Sequence, residues 1–145
     1  MPEQKTPQPL ILVADDDADD QELLAEALRE TGYSFKLQTV EDGDELIEVL
    51  EGGARPSVVL LDLHMPRMHG LVALERIRKN PSFRRLPIVI MTTSWSEEDI
   101  ERSYDLGAHS FIIKPVLFDE LVGCVERLCA YWFSTCELPP PTASS

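Results

Sequence analysis

The chain is poor in basic residues. Thirteen lysines and arginines stand against 26 acidic residues among 145, which gives a formal net charge of −13 at pH 7. Proteins that bind nucleic acid need a surplus of lysine and arginine to contact phosphates, and anionic membrane surfaces attract the same residues. The composition therefore argues against both a nucleic-acid partner and a membrane partner.

Long apolar runs and cysteine pairs are lacking as well. Apolar runs such as 58–61 and 88–91 are far shorter than the roughly 20 residues that span a bilayer. Residues 1–9 are polar and contain prolines, so the apolar stretch of a secretory signal is missing there. The cysteines, at positions 124, 129 and 136, are odd in number and not spaced as Cys-x-x-Cys, which indicates reduced thiols. We therefore expect a cytoplasmic protein.

Short apolar runs alternate five times with longer amphipathic segments, a pattern typical of βα units around a parallel sheet. It predicts strands at 10–14, 35–40, 58–61, 87–91 and 110–113, and helices at 19–31, 44–51, 70–79, 97–106 and 117–134. The second strand alternates apolar and polar residues and should lie at an edge. We predict an α/β fold, a doubly wound (βα)5 parallel sheet of the flavodoxin-like type with strand order 2-1-3-4-5. The domain would span residues 10–134, between a flexible N-terminal tail (1–9) and a proline-rich C-terminal tail (135–145).

Two sequence patterns predict where helices begin. Asp42 with Glu45, and Ser94 with Glu97, have the spacing of capping boxes, in which two orphan backbone N–H groups are satisfied reciprocally.

Polar residues follow the ends of four predicted strands. In an open parallel sheet, ligands bind beyond the carboxyl ends of the strands. We therefore expect the following residues to meet at one edge of the sheet: Asp15, Asp16 and Asp17 after the first strand, Asp62 after the third, Thr92 and Thr93 after the fourth, and Lys114 after the fifth. Aspartate at such a place is commonly a turn residue or helix cap, which is our interpretation of Asp17, Asp19 and Asp20.

A cluster of carboxylates needs compensating positive charge. Two like unit charges about 4 Å apart repel by about 4 kcal/mol at an effective dielectric constant of about 20. Lys114 supplies one counter-charge, and a divalent cation would supply the other. All-oxygen ligands favour Mg²⁺ or Mn²⁺. Because aspartate can act as a nucleophile toward phosphorus, the pattern predicts phosphoryl transfer onto a carboxylate, with Asp62 as the acceptor.

Four motifs resemble the receiver domain of two-component response regulators, the CheY-like superfamily. They are ILVADD at 11–16, VLLDLHMPRMHG at 59–70, IMTT at 90–93 and FIIKP at 111–115. The resemblance covers residues 10–130. Shorter pieces at 92–94, 103–104, 131–133 and 137–139 are similar to the single-domain regulators that accompany bacterial and cyanobacterial phytochrome kinases.

The resemblance implies a set of roles for individual residues. A sensor histidine kinase, of the phytochrome type by the finer resemblance, would pass its phosphoryl group to Asp62. The implied metal ligands are Asp16, Asp62 and the backbone carbonyl of His64, with Asp15 acting through a metal-bound water. Thr92 would bond the phosphoryl oxygen and act as a switch together with Phe111, Lys114 would neutralise charge, and the Lys114–Pro115 peptide would be cis. His69, where the family often has aspartate, would be a surface loop residue.

We expect no output domain, so the signal would leave by protein–protein contact and the chain would not be an enzyme. In the last helix, one apolar stripe is formed by Leu117, Leu121, Val125, Leu128 and Trp132. The consecutive aromatics at 131–133 point in three directions and cannot all face one core. Because leftover aromatic surface often marks an interface, we predict a homodimer through this helix and the C-terminal tail.

Two other functions are compatible with the sequence. Asp15 and Asp17 form the Asp-x-Asp of haloacid-dehalogenase-like phosphatases, in which the first aspartate is the nucleophile. The chain could also be a receiver-like interaction module that is never phosphorylated. A phosphoryl group on Asp15 instead of Asp62 would favour the phosphatase.

Overall fold

A computed structural model describes residues 8–139 and contains five parallel strands in the order β2-β1-β3-β4-β5. The strands are β1 (Leu10–Ala14), β2 (Lys36–Val40), β3 (Val58–Leu61), β4 (Ile88–Thr92) and β5 (Ser110–Ile113). The helices are α1 (Ala18–Glu30), α2 (Gly43–Glu51), α3 (Gly70–Lys79), α4 (Glu97–Asp105) and α5 (Phe118–Ala130), with a 3-10 turn at Pro81–Phe83 and a π-helical turn at Tyr131–Thr135. The predicted fold and strand order are confirmed.

The side chains of the central strands divide between two hydrophobic clusters. In β1, Leu12 packs with α2 and α3, whereas Ile11 and Val13 pack with α1 and α5. This follows from the two-residue period of a strand, which sends neighbouring side chains to opposite faces. The strands β1, β3 and β4 are buried on both faces, and β2 lies at an edge as predicted. Packing on both faces fixes the positions of the central strands and of their carboxyl ends.

The caps of two helices differ from the prediction. The helix α4 is capped by Ser96, whose hydroxyl accepts from Asp99 N (3.1 Å) while the Asp99 carboxylate accepts from Ser96 N (3.1 Å). The predicted Ser94–Glu97 box is wrong, because the helix begins at Glu97 and its cap must be the residue just before it. Asp42 does cap α2, because its carboxylate accepts from Glu45 N at 2.9 Å. The Glu45 carboxylate, however, accepts from Glu41 N and not from Asp42 N, so the capping box is incomplete.

Two further expectations need correction. The Lys114–Pro115 peptide is trans, since residues 8–139 contain no cis peptide bond; trans is the intrinsically favoured isomer even before proline. In the stripe of the last helix, Leu117 is 63% exposed while its other members are buried. Leu117 precedes the first turn of α5, so it does not share the buried face of the helix.

The proposed tails fall largely on residues 1–7 and 140–145, which lie outside the described residues, and they stay predictions. Within residues 8–139, no helix combines the length and the apolar character needed to cross a membrane.

Candidate functional site

Three carboxylates meet at the carboxyl edge of the sheet. One oxygen each from Asp15, Asp16 and Asp62 lies within 4.8 Å of the other two. The parallel pairing of β3 with β1 continues one residue beyond the end of β3, because Asp62 N donates to the carbonyl of Ala14, the last residue of β1, at 3.0 Å. The backbone therefore holds the two strand ends side by side, and the predicted acidic cluster is present.

The Gln21 side chain fixes the end of β1. Its amide donates to the backbone carbonyls of Asp15 and of Val40, the latter at 3.0 Å. Asp17 accepts from the backbone N–H groups of Asp19 (2.9 Å) and Asp20 (3.1 Å), so it caps α1 as the sequence indicated. Gln21 was not predicted, because a polar residue one turn into a helix has no signature that points back to a strand end.

Lys114 forms a buried ion pair with the acidic cluster. Its Nζ lies 2.9 Å from Asp15 Oδ2, and the two side chains are 7% and 3% exposed. A second acidic group, Asp20, lies 3.9 Å from the same ammonium group. Burial raises the pKa of Asp20, and Lys114 offsets part of that rise. A buried charge of this kind requires a partner, so Lys114 is held at the cluster and not in solvent. Asp20 was predicted only as a cap, and its approach to Lys114 adds it to the edge of the site.

Asp62 is half-buried, and its environment disfavours the ionised form. Burial is the largest cause that raises its pKa, and the charge of Asp15 adds to it. The Thr92 hydroxyl, Lys114 and the His64 N–H, 3.4 Å from Asp62 Oδ1, offset part of this effect. Additional positive charge at the cluster would therefore favour the carboxylate.

The two residues named as a switch lie in different surroundings. Thr92 ends β4 and is fully buried, with its hydroxyl donating to the Ser94 carbonyl at 3.1 Å. Phe111 lies in β5, packs against the cluster on the α2–α3 face of the sheet, and donates its backbone N–H to the Tyr104 hydroxyl at 3.2 Å. The structure thus brings Thr92, but not Phe111, to Asp62.

The start of α3 is packed against the backbone of Asp62. A Cβ on Gly70 would overlap the Asp62 carbonyl oxygen and come within 2.8 Å of Leu63 Cα, so only glycine fits there. His69 caps α3, because its Nδ1 accepts from Leu71 N at 3.2 Å. The sequence placed His69 in a surface loop and missed this role, for which histidine is an uncommon residue.

The His64 ring lies between two loops. Its Nε2 is 2.9 Å from the Ser94 carbonyl oxygen, and the ring meets the His69 ring edge-on with centroids 5.3 Å apart. Burial and the neighbouring His64 lower the pKa of His69.

A family model for the response regulator receiver domain matches residues 11–126. The chain belongs to this family. It is 30% identical to the response regulator Rcp1 of Synechocystis sp., over 96% of this chain and 99% of that protein. The receiver fold is also similar to the crystal structure of the phosphorylated cyanobacterial phytochrome response regulator RcpA, with a TM-score of 0.86 and 32% identity over 92% of this chain and 99% of that one. The Mn²⁺-bound form of Rcp1 gives a TM-score of 0.83 with 30% identity, over 91% and 99% of the two chains.

Receiver-family proteins are signalling proteins, and neither alternative function is favoured. The two aspartates of the Asp-x-Asp pattern have other roles in the structure, which does not favour the phosphatase: Asp15 is paired with Lys114, and Asp17 caps α1. The non-phosphorylated module is disfavoured because the carboxylates, Thr92 and Lys114 are all assembled at one edge of the sheet.

Proposed function

We propose that this receiver accepts a phosphoryl group on Asp62 from a phosphohistidine of a sensor histidine kinase, and that it signals by contact with another protein. The observation that carries the proposal is the position of Asp62: its carboxylate lies in a cluster with Asp15 and Asp16, next to the Thr92 hydroxyl and the buried Lys114 ammonium. Phosphoryl transfer depends mainly on positioning and on neutralising charge, which these groups supply.

In the proposed reaction, an Asp62 carboxylate oxygen attacks phosphorus as the bond between phosphorus and the kinase histidine breaks. The product is an acyl phosphate on Asp62, and the histidine nitrogen leaves with the bonding electron pair. Lys114 balances negative charge at the acceptor, and the Thr92 hydroxyl donates to a phosphoryl oxygen. The modification adds about −1.5 to −2 charge and strong acceptor oxygens. Thr92 would turn toward them and Phe111 would fill the space behind it, which makes these two residues the switch.

The site suits a hard divalent cation, because its donors are oxygens and the nearby carboxylates repel one another. We assign Mg²⁺ or Mn²⁺ to Asp16, Asp62 and the backbone carbonyl of His64. Both oxygens of Asp15 are engaged, Oδ2 by Lys114 and Oδ1 by Asp17 N (2.9 Å), which supports its contact with the ion through water. The ion would neutralise charge on the transferred group.

The names of the relatives support a phytochrome-type kinase as the donor. We also propose that both proteins lie in the cytoplasm. The kinase must approach at the carboxyl edge of the sheet. A pocket beside Lys114 is bordered by Asp20, Leu23 and Val116, and the last two expose 46% and 92% of their surface. Exposed apolar side chains around a charged site can bury themselves against a partner helix. We also propose a homodimer through α5 and the segment that follows it.

Mass spectrometry after incubation with acetyl phosphate and Mg²⁺ tests the acceptor. We expect the wild type to gain one phosphoryl group, Asp62→Asn to gain none, and a chelator of divalent ions to prevent the gain. The matched control is Asp17→Asn, which also exchanges a carboxylate for an amide but keeps a good helix cap and leaves the cluster intact. A phosphoryl group on Asp15, or an unchanged gain in Asp62→Asn, would refute the assignment.

A further inference from the structure

One backbone oxygen joins the loop that follows the acceptor to the loop that follows Thr92. The Ser94 carbonyl is 3.1 Å from the Thr92 hydroxyl and 2.9 Å from His64 Nε2. A carbonyl only accepts hydrogen bonds and has two lone pairs, so it can serve both donors. His64 must then carry its hydrogen on Nε2. The β3–α3 and β4–α4 loops are thereby linked through a side chain.

The His64 side chain packs against a second histidine, His69. The His69 ring packs against it nearly perpendicular, at 85°, and His69 is itself held by the Leu71 N–H at the start of α3. That start is anchored to the acceptor segment, since Gly70 N donates to the Leu63 carbonyl at 2.7 Å. The His64 ring, which bonds to Ser94, is therefore held in place by packing against the start of α3.

We propose that His64 is a positioning residue that holds the β4–α4 loop in its unphosphorylated arrangement through the Ser94 carbonyl. We call this hydrogen bond the His64 clasp. The inference rests on the proposed phosphorylation of Asp62. The Thr92 hydroxyl donates to the Ser94 carbonyl at 3.1 Å and also lies close enough to Asp62 to lower its pKa. Because the hydroxyl has one hydrogen, a full hydrogen bond to a group on the side of Asp62 requires that the bond to Ser94 be given up. By keeping the Ser94 carbonyl in place, the clasp favours the first bond and slows the uptake of a phosphoryl group.

Two variants of similar size separate the hydrogen bond from the bulk of the ring. His64→Gln keeps an N–H donor that can reach Ser94, and His64→Leu has none. A hydrogen bond of ordinary strength corresponds to about a two- to tenfold change in an equilibrium. We expect His64→Leu to take up phosphoryl groups from acetyl phosphate about two- to tenfold faster than the wild type, and His64→Gln to resemble the wild type. The ¹⁵N relaxation of amides 93–96, without any phosphoryl donor, should show lower order parameters in His64→Leu only.

Arg67→Asn is the control within the same loop. Arg67 has a left-handed φ of 64° that asparagine tolerates, and its side chain pairs with Asp42 (3.6 Å) and not with the β4–α4 loop. It should leave the order parameters of amides 93–96 at their wild-type values.

The outcomes for the clasp and for phosphorylation are distinguishable. Equal order parameters in the wild type and His64→Leu, or a His64→Gln variant that behaves like His64→Leu, would overturn the clasp. More mobile loop amides without faster uptake would overturn its effect on Thr92. If the wild type itself takes up no phosphoryl group, the proposed function fails, and the relaxation measurement still decides whether the clasp exists.

Discussion

At the scale of single residues, the proposed acceptor, Asp62, lies in surroundings that disfavour its ionised form. Burial raises the pKa of Asp62, and the carboxylate of Asp15 raises it further. The counter-charge within reach, Lys114, is already paired with Asp15 at 2.9 Å. Lys114 therefore compensates the charge of Asp62 only in part, and the ionised Asp62 side chain lowers the stability of the folded protein. A bound cation would supply the missing positive charge.

This cost predicts a pH-dependent effect of Asp62→Asn. Because the pKa of Asp62 is higher in the folded than in the unfolded state, the folded protein binds more protons between the two values. The contribution of Asp62 to stability therefore falls as pH rises through that window. With divalent ions chelated, we expect Asp62→Asn to have a higher melting temperature than the wild type at pH 7. The difference should shrink as pH falls into the ordinary carboxyl range.

Circular dichroism melts across that pH range provide the measurement. Mg²⁺ serves as the internal control, since an ion bound to the folded wild type should stabilise it more than the variant. A difference in melting temperature that stays constant with pH would contradict the assigned cause.

Sequence reasoning could locate the site residues that follow strands. Asp15, Asp62 and Lys114 converge because parallel strands bring their carboxyl ends to one edge of the sheet, a consequence of topology alone. The contact between His64 and Ser94 depends on the paths of two loops and on a side-chain rotamer. Neither leaves a periodic signal in the sequence, so this contact could not be predicted.

At the scale of elements, α4 is the helix with the least support from the core. Among its residues only Ser103 is buried, whereas α3 buries five. Two overlapping patterns, Ser94 with Glu97 and Ser96 with Asp99, both fit a capping box, and helix boundaries inferred from sequence carry an error of a few residues. The sequence therefore predicted the helix and the kind of cap but not which serine provides it.

Because α4 has little buried surface, its cap should matter for stability. We expect Ser96→Ala to lower the free energy of unfolding by about 1 kcal/mol, the usual effect of losing a serine cap. Ser94→Ala is the matched control: it removes the same hydroxyl two residues earlier and should cost less than about 0.5 kcal/mol. Urea denaturation measures both. Equal losses in the two variants would argue that the box seen at Ser96 does not stabilise the helix.

At the scale of the whole molecule, the three consecutive aromatic residues after α5 lie in different environments, as expected from side chains that point in three directions. The Trp132 ring packs against His109, with centroids 4.9 Å apart and the ring planes inclined at 58°, and Phe133 is fully buried near Tyr33. Tyr131 is left 53% exposed. The π-helical turn at Tyr131–Thr135 closes with a bond from Cys136 N to the Tyr131 carbonyl (2.8 Å), so the exposed ring sits on an ordered segment. An ordered aromatic side chain loses little conformational entropy on binding, which suits it to an interface.

The proposed homodimer should therefore depend on Tyr131. In sedimentation velocity at micromolar concentration, we expect the wild type to form a dimer and Tyr131→Asp to shift toward monomer. Loss of a central interface aromatic costs about 2 kcal/mol or more, which weakens association by about 30-fold. Val72→Asp is the control, since Val72 is 44% exposed on α3, on the other face of the sheet, and its charge should leave the dimer intact. A wild type that stays monomeric, phosphorylated or not, would rule out the dimer. Equal dissociation of both variants would contradict an interface at Tyr131: the interface would lie elsewhere, or the added negative charge would act generally on a protein of net charge −13.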